Sequence, residues 1–277
     1  MSTQPLRTEL IQSYAFVARN FSLMRRYWAW EVVWVAYSIA TSMSVTFIAA
    51  GSSEITGQQN IDVKHFTLYL LIGTIVWRFL SIMFTFVSEV IQIERWEGTI
   101  EYTLMAPVSR WVHLIGQTLF AILYSLFLTL IMGVVMTLFF ELDLSNSNLF
   151  GALLVLLSGS VSLIGIGIFA SILPLLYPER GAQMTHIIQA SFLLVSGVYY
   201  PISVLPQWMQ TLAQISPVTY VLDGMRAAVM DGAPTTELMP YIVPLLIFGV
   251  IATPLGIWGF KEAELYAKRT GRLKRVG

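Results

Sequence analysis

Long apolar runs separated by short polar segments dominate the chain. A membrane-crossing helix needs about 20 mainly apolar residues, and runs of that order stand at 29–50, 66–91, 112–140, 149–176, 185–205 and 238–260. They predict six transmembrane helices. Ahead of them, Leu6, Leu10, Tyr14, Val17, Phe21, Met24 and Trp28 recur every three or four residues and form one stripe of a helix. Arg7, Arg19, Arg25, Arg26, Gln12, Ser13 and Asn20 lie mostly off that stripe. This pattern predicts an amphipathic helix over 1–28 lying along the membrane surface; the alternative is an amphipathic helix packed on a soluble domain, and the runs that follow do not describe one.

The polar intervals predict structure as well. Those at 51–65 and 141–148 are short connections, whereas 206–237 is long enough to fold. Pro206 can open a helix containing Trp208, Met209, Leu212 and Ile215, and Ser216–Pro217 restarts one with Val218, Val221, Leu222, Met225 and Val229 on its apolar face. Two short helices at the outer leaflet are expected, with Asp223 and Arg226 forming a surface ion pair of little weight.

Composition agrees with this pattern. Hydrophobic residues make up 56% of the 277, charged residues 12%, and mean hydropathy is +0.70, against a charged fraction of about a quarter in soluble domains. The expected fold is an all-α polytopic membrane protein with one domain over 1–277: the interfacial helix at 1–28, a six-span bundle over 29–260 and a basic cytoplasmic tail at 261–277. Net charge is zero, which gives no reason to expect nucleic-acid binding. Cysteine is absent, which excludes disulfides, thiol nucleophiles and cysteine metal sites. With the N-terminus inside, thirteen of the sixteen basic residues fall in inner segments, Lys64 and Arg226 fall outside, and Arg78 lies within a span. That bias puts both termini in the cytoplasm.

One cytoplasmic segment stands apart. Between the second and third predicted spans, "IERWEGTIEYTLMAPVSR" concentrates charge in an apolar chain. If span two continues into the cytosol, Glu94, Glu97 and Glu101 share a face until Gly98 interrupts it. Thr99 then suits the N-cap of a second short helix, Glu101 favours its positive end, and Pro107 closes it. Trp96, Ile100 and Leu104 recur every four residues, giving an apolar side able to dock in a groove while the acids face a basic rim or solvent. The residues alone leave open a simple solvated loop.

Deep in span two sits Arg78, in "IVWRFL", with no acid evident inside the spans to offset its cost. It should meet a polar cleft, backbone carbonyls, a lipid phosphate or a dimer axis. Two readings stand: a structural tie within the bundle, or a place in a substrate path. Trp77, Phe79, Phe84 and Phe86 nearby can line such a path or simply pack. Intramembrane acids or histidines of the proton-driven kind are not apparent, nor are metal-ligand spacing or a Ser-His-Asp set, so an intramembrane enzyme has no residues to nominate. No G-x-x-x-x-G-K-[ST] occurs, so this polypeptide cannot cradle nucleotide phosphates in the P-loop manner.

Two stretches carry a family resemblance. "ERWEGTIEYTLMAPVSR" resembles the elbow of ABC exporter permeases of the second type. "SGVYYPISVLPQWMQTLAQISPVTYVLDGMR" is similar to the same family's fifth span and outer re-entrant helices, through Ser196, Gly197, Tyr200, Pro201, Pro206, Pro217 and Tyr220. The resemblance implies a permease that dimerises, more simply as a homodimer, in a bacterial cell membrane, and sits on ATP-binding subunits that carry the ATP and Mg. No cofactor is expected in this chain. It also implies a coupling helix after Gly98, with Glu94, Arg95, Glu97, Thr99 and Glu101 forming or orienting the polar contact and Trp96, Ile100 and Leu104 packing the apolar side. The expected cargo is a hydrophobic or amphipathic small molecule or lipid, with a lipid-linked glycan as the alternative and Arg78, Trp77 and Phe84 as candidate pathway residues.

Overall fold

The computed structural model describes residues 4–51, 63–106, 108–177 and 179–270, without the side chains of residues 4–6, Ala50, Arg95, Ile100, Glu101, Leu104, Arg110 and Trp111. All regular structure among the described residues is helical: α1 (Gln4–Arg26), α2 (Trp28–Ala50), α3 (Val63–Ser88), α4 (Val90–Trp96), α5 (Ile100–Met105), α6 (Arg110–Phe139), α7 (Leu149–Ala170), α8 (Ile172–Leu176), α9 (Gly181–Val195), α10 (Gln207–Ile215), α11 (Pro217–Val229) and α12 (Met239–Arg269).

Five segments are long and apolar enough to cross a membrane: Trp28–Ala49, Val63–Ser88, Val112–Phe139, Leu149–Leu176 and Met239–Arg269. They match five of the six expected runs within a few residues, except that the last helix continues through Lys261 to Arg269. The expected tail at 261–277 is therefore helical for half its length, with Ala263, Glu264 and Ala267 buried. The run at 185–205 departs more. Its helix, α9, has 15 residues, about 22 Å of rise, short of the roughly 30 Å apolar core of a bilayer. Gly197 turns the chain at φ +70° and Pro201 fixes an extended step before a 3-10 turn at Ile202–Val204, so the remaining apolar residues leave the helix.

The fourth run bends for a local reason. Pro174 has no N–H for the Ala170 carbonyl, and the helix breaks at Ser171, whose hydroxyl donates to Ile168 O at 2.6 Å. The two short helices expected after 206 are present as α10 and α11, and α11 is buried through Val218, Val221, Leu222 and Met225.

Packing is uneven across the bundle. A Cβ at Gly165 would lie 2.2 Å from the carbonyl carbon of Ala252, one at Gly256 2.5 Å from Gly165 O, and one at Gly249 2.6 Å from Val161 O. Backbone thus meets backbone between α7 and α12. By contrast α6 and α7, consecutive in the chain, border an apolar cavity of about 600 Å³ that also touches α3 and α11.

Helix α1 lies against the start of α6, with Phe16 beside His113 and Phe21 edge-on to Phe120. Its inward side is formed by Ser13, Phe16, Val17 and Asn20. Of the predicted stripe, Leu10, Tyr14 and Phe21 are exposed, whereas Val17 and Met24 pack inward against a cluster around Phe120 and Tyr124.

Candidate functional site

The elbow between α3 and α6 is built by a helix stop. Gly98 adopts φ +70° and Thr99 N–H donates to Glu94 O at 2.8 Å, the closing bond of a Schellman cap, where glycine carries no Cβ penalty. Thr99 then precedes α5 as expected, but its hydroxyl makes no cap; it donates to Glu94 O and accepts from Arg19. Pro107 lies outside the described residues.

Two acids of the elbow, Glu94 and Glu97, face Arg19 of α1 and not a rim or solvent. Glu94, 1% exposed, accepts through Oε1 from His113 Nε2 at 3.0 Å, Arg19 Nη1 at 3.3 Å and Thr103 at 3.3 Å. Arg19, 28% exposed, also reaches Glu97 Oε2 at 3.2 Å. Burial pushes the Glu94 carboxyl up, but the hydrogen bond from His113 and the charges of His113 and Arg19 outweigh it and hold the group below its ordinary value. The other carboxylate oxygen is buried without a partner. Helix α1 is thus clamped to the elbow and to the start of α6 through one carboxylate.

What the elbow presents outward is aromatic and apolar. Trp96 is 77% exposed, Tyr102 74% and Met105 74%. Trp96 ends α4 and is separated by the Gly98 turn from α5, which carries Tyr102 and Met105. The backbones of Ile100, Glu101 and Leu104 are in α5 and that of Arg95 in α4, while their side chains lie outside the described set. A neighbouring acid, Glu89, sits at the bend between α3 and α4, accepting from Thr185 at 3.2 Å with His186 3.6 Å away; burial pushes its carboxyl up, against the opposing charge of His186 and the Thr185 hydrogen bond.

A second polar feature lies within the bundle. Arg78 lines a cavity of about 420 Å³ between α2, α3, α6 and α9, with Glu31, Ser81, Tyr124, Gln189 and two tryptophans, Trp30 and Trp34. Tyr124 donates its hydroxyl to Glu31, and Gln189 donates its amide to the hydroxyl and carbonyl of Ser81. The Arg78 guanidinium makes no hydrogen bond or ion pair among the described residues. Among the described residues no carbonyl or hydroxyl of the bundle holds it, and an arginine at mid-span costs about 3 kcal/mol on insertion scales. The acid missed in the sequence is Glu31, which lies inside the first predicted run; its reach to the cavity depends on packing across α2, α3 and α6. Trp77 and Phe84 do not join Arg78: Trp77 packs against the main core, and Phe84 is buried beside α7 near Gly167.

The turn after α9 is held from inside. Ser196 and Ser216 hydroxyls meet at 2.8 Å, and Tyr200 donates to Leu194 O. Pro206 and Pro217 stand at the starts of α10 and α11, and Tyr220 is half-buried against the core. Arg226 is not a surface residue. It donates to Gly197 O at 3.0 Å and Val198 O at 3.1 Å and lies 3.6 Å over the Tyr69 ring, while Asp223 is 3.8 Å away. Gly73 of α3 admits this turn, since a Cβ there would lie 2.1 Å from Val198 O.

Comparison with known proteins places the chain in a family. A family model described as "ABC-2 type transporter" matches residues 11–230, which include most of α1, the elbow and α11. Over 189 residues, 68% of the chain, the sequence is 24% identical to the probable multidrug ABC transporter permease YbhR of Escherichia coli K12, covering 50% of that protein. Over 80 residues, 29% of the chain, it is 28% identical to the linearmycin resistance permease protein LnrN of Bacillus subtilis 168, covering 21% of that protein. The matches thus span half or less of these relatives.

Proposed function

We infer the function from one premise: the chain belongs to the ABC-2 type transporter family, whose model matches most of its length. It is a multi-pass membrane protein and a transporter's membrane subunit. The finer reading is our proposal: it works as the permease of an ATP-driven exporter, in a bacterial cell membrane, with both termini cytoplasmic and α9 with its turn serving as a short sixth crossing.

On this reading ATP and Mg are handled by a separate ATP-binding subunit, and two permease copies enclose the pathway. The observation that carries the proposal is the elbow: two short helices joined at Gly98 that offer Trp96, Tyr102 and Met105 outward, braced by Glu94, Arg19 and His113. An exposed aromatic face is what a partner's groove needs, and the brace lets a push on that face reach α1 and α6. Glu94 thereby orients the contact. The cargo is a hydrophobic or amphipathic small molecule or lipid; multidrug and linearmycin resistance in the names of the two relatives favour this over a lipid-linked glycan.

Co-expression with an ATP-binding subunit from the same source tests the proposal. The pair should copurify and hydrolyse ATP, the permease alone should not, and Trp96→Ser with Tyr102→Ser should release the ATPase. Retained association in that double variant, or robust hydrolysis by the permease alone, sinks the reading.

A further inference from the structure

We propose that the cavity between α2, α3, α6 and α9 binds the anionic head group of an amphiphile, with Arg78 as its anchor. The inference deepens the exporter reading and rests on it for the consequence that the bound molecule is cargo. Arg78 lies ten residues from the Ser88 end of α3, about 15 Å of helix rise, so its charge sits well inside the bilayer. Among the described residues no hydrogen bond or ion pair holds it, and Glu31, the acid of the same cavity, accepts from Tyr124 near the start of α2 and is not in contact with the guanidinium. A cation with no partner, in a cavity of about 420 Å³, calls for an anion that arrives from outside the chain. The volume falls in the usual range of small-molecule sites, roughly 300–1,000 Å³.

The surroundings specify more than charge. Ser81 and Gln189 bring a hydroxyl and an amide to the same cavity, groups able to bond the ester or hydroxyl oxygens of a head group. Trp30 and Trp34 form an apolar wall suited to a chain or glycerol unit. A free inorganic or small organic anion would have no use for that wall and would forfeit its hydration to reach Arg78. A cationic amphiphile would find Glu31 but would meet Arg78 deeper in the same cavity.

Native mass spectrometry of the purified chain, titrated with dioleoylphosphatidylglycerol against dioleoylphosphatidylcholine, tests the site without any ATPase. The wild type should prefer the anionic lipid. Arg78→Met should lower affinity for it about ten- to a hundredfold, the loss of one charge-assisted hydrogen bond, and leave the zwitterionic lipid unchanged; Arg78→Lys should keep part of the preference. If Arg78→Met does not fold, Ser81→Ala with Gln189→Ala, which keep the charge, should still weaken phosphatidylglycerol binding. The inference fails if the wild type does not discriminate, if these variants bind phosphatidylglycerol as the wild type does, or if dodecyltrimethylammonium binds as tightly. Competition by glycerol 3-phosphate at lipid-like affinity would assign the site to a soluble anion and overturn the amphiphile. A chain that pairs with its ATPase yet lacks anion preference refutes this inference alone. One that prefers the anion yet never pairs refutes the exporter reading alone.

Discussion

Replacing Arg19 by Gln should loosen α1 from the elbow by an amount the geometry sets. The change removes the single guanidinium charge that reaches both Glu94, at 3.3 Å, and Glu97, at 3.2 Å. Glu94 is 1% exposed and cannot turn to water, so its carboxylate stays behind with His113 and Thr103. Breaking a buried ion pair from one side costs about 3–5 kcal/mol. Here Arg19 is 28% exposed and two donors persist, which brings the expected cost to about 2 kcal/mol, or roughly a thirtyfold rise in the opening of α1. Glu94→Gln removes the charge instead and leaves an amide that His113 and Thr103 can still bond, at about 1 kcal/mol. The double variant should cost less than the sum by about 1 kcal/mol, because the orphaned charge is gone. Hydrogen exchange of the α1 amides in nanodiscs measures each opening free energy. Additivity within about 0.5 kcal/mol, with each single variant below that value, would mean that the clamp is an ordinary solvated pair.

The same clamp should respond to acid: folding holds Glu94 below its ordinary value of 4.5, so its contribution is complete above that value and is lost as pH falls through the lower folded value, read as α1 exchange between pH 7 and pH 3.5. Gly98→Leu should cost about 1–2 kcal/mol by forcing a side chain into φ +70°, and in transport assays the ATPase should remain bound while export falls. Gly73→Ala should displace the turn at Val198, whose carbonyl oxygen would lie 2.1 Å from the new Cβ; an unchanged melting temperature would contradict that packing. Arg226→Met should cost about 2–4 kcal/mol by orphaning the Gly197 and Val198 carbonyls, measurable as a fall in thermal unfolding temperature in detergent.

Apolar run length was enough to locate five helices, since a segment such as Val112–Phe139 has no stable alternative in a membrane. It misjudged 185–205, where Val198, Tyr199 and Ile202 keep the run apolar although Gly197 and Pro201 have already ended the helix. Gly98 was legible as the bend because a glycine between two helical stretches has a backbone reason to be there. The orientation of Glu94 and Glu97 was not legible. Glu94 and Arg19 are separated by 75 positions, and only the packing of α1 on α6 brings them together. Glu31 was hidden by its position near the end of an apolar run, and Arg226 by a spacing to Asp223 that suggests a surface pair, when its partners are carbonyls 28 and 29 residues away.

The backbone contact between α7 and α12 bears on how force travels. With Gly165 and Gly256 in direct apposition, neither helix can slide without one main chain striking the other, so this pair behaves as the anvil of the molecule. On another side of α7, an apolar void separates it from α6, whose start packs against α1 and the elbow. A load applied at Trp96 and Tyr102 therefore finds its compliance at the void. Filling that space, with Gly133→Leu on the α6 wall, would stiffen the springy flank while leaving the anvil untouched.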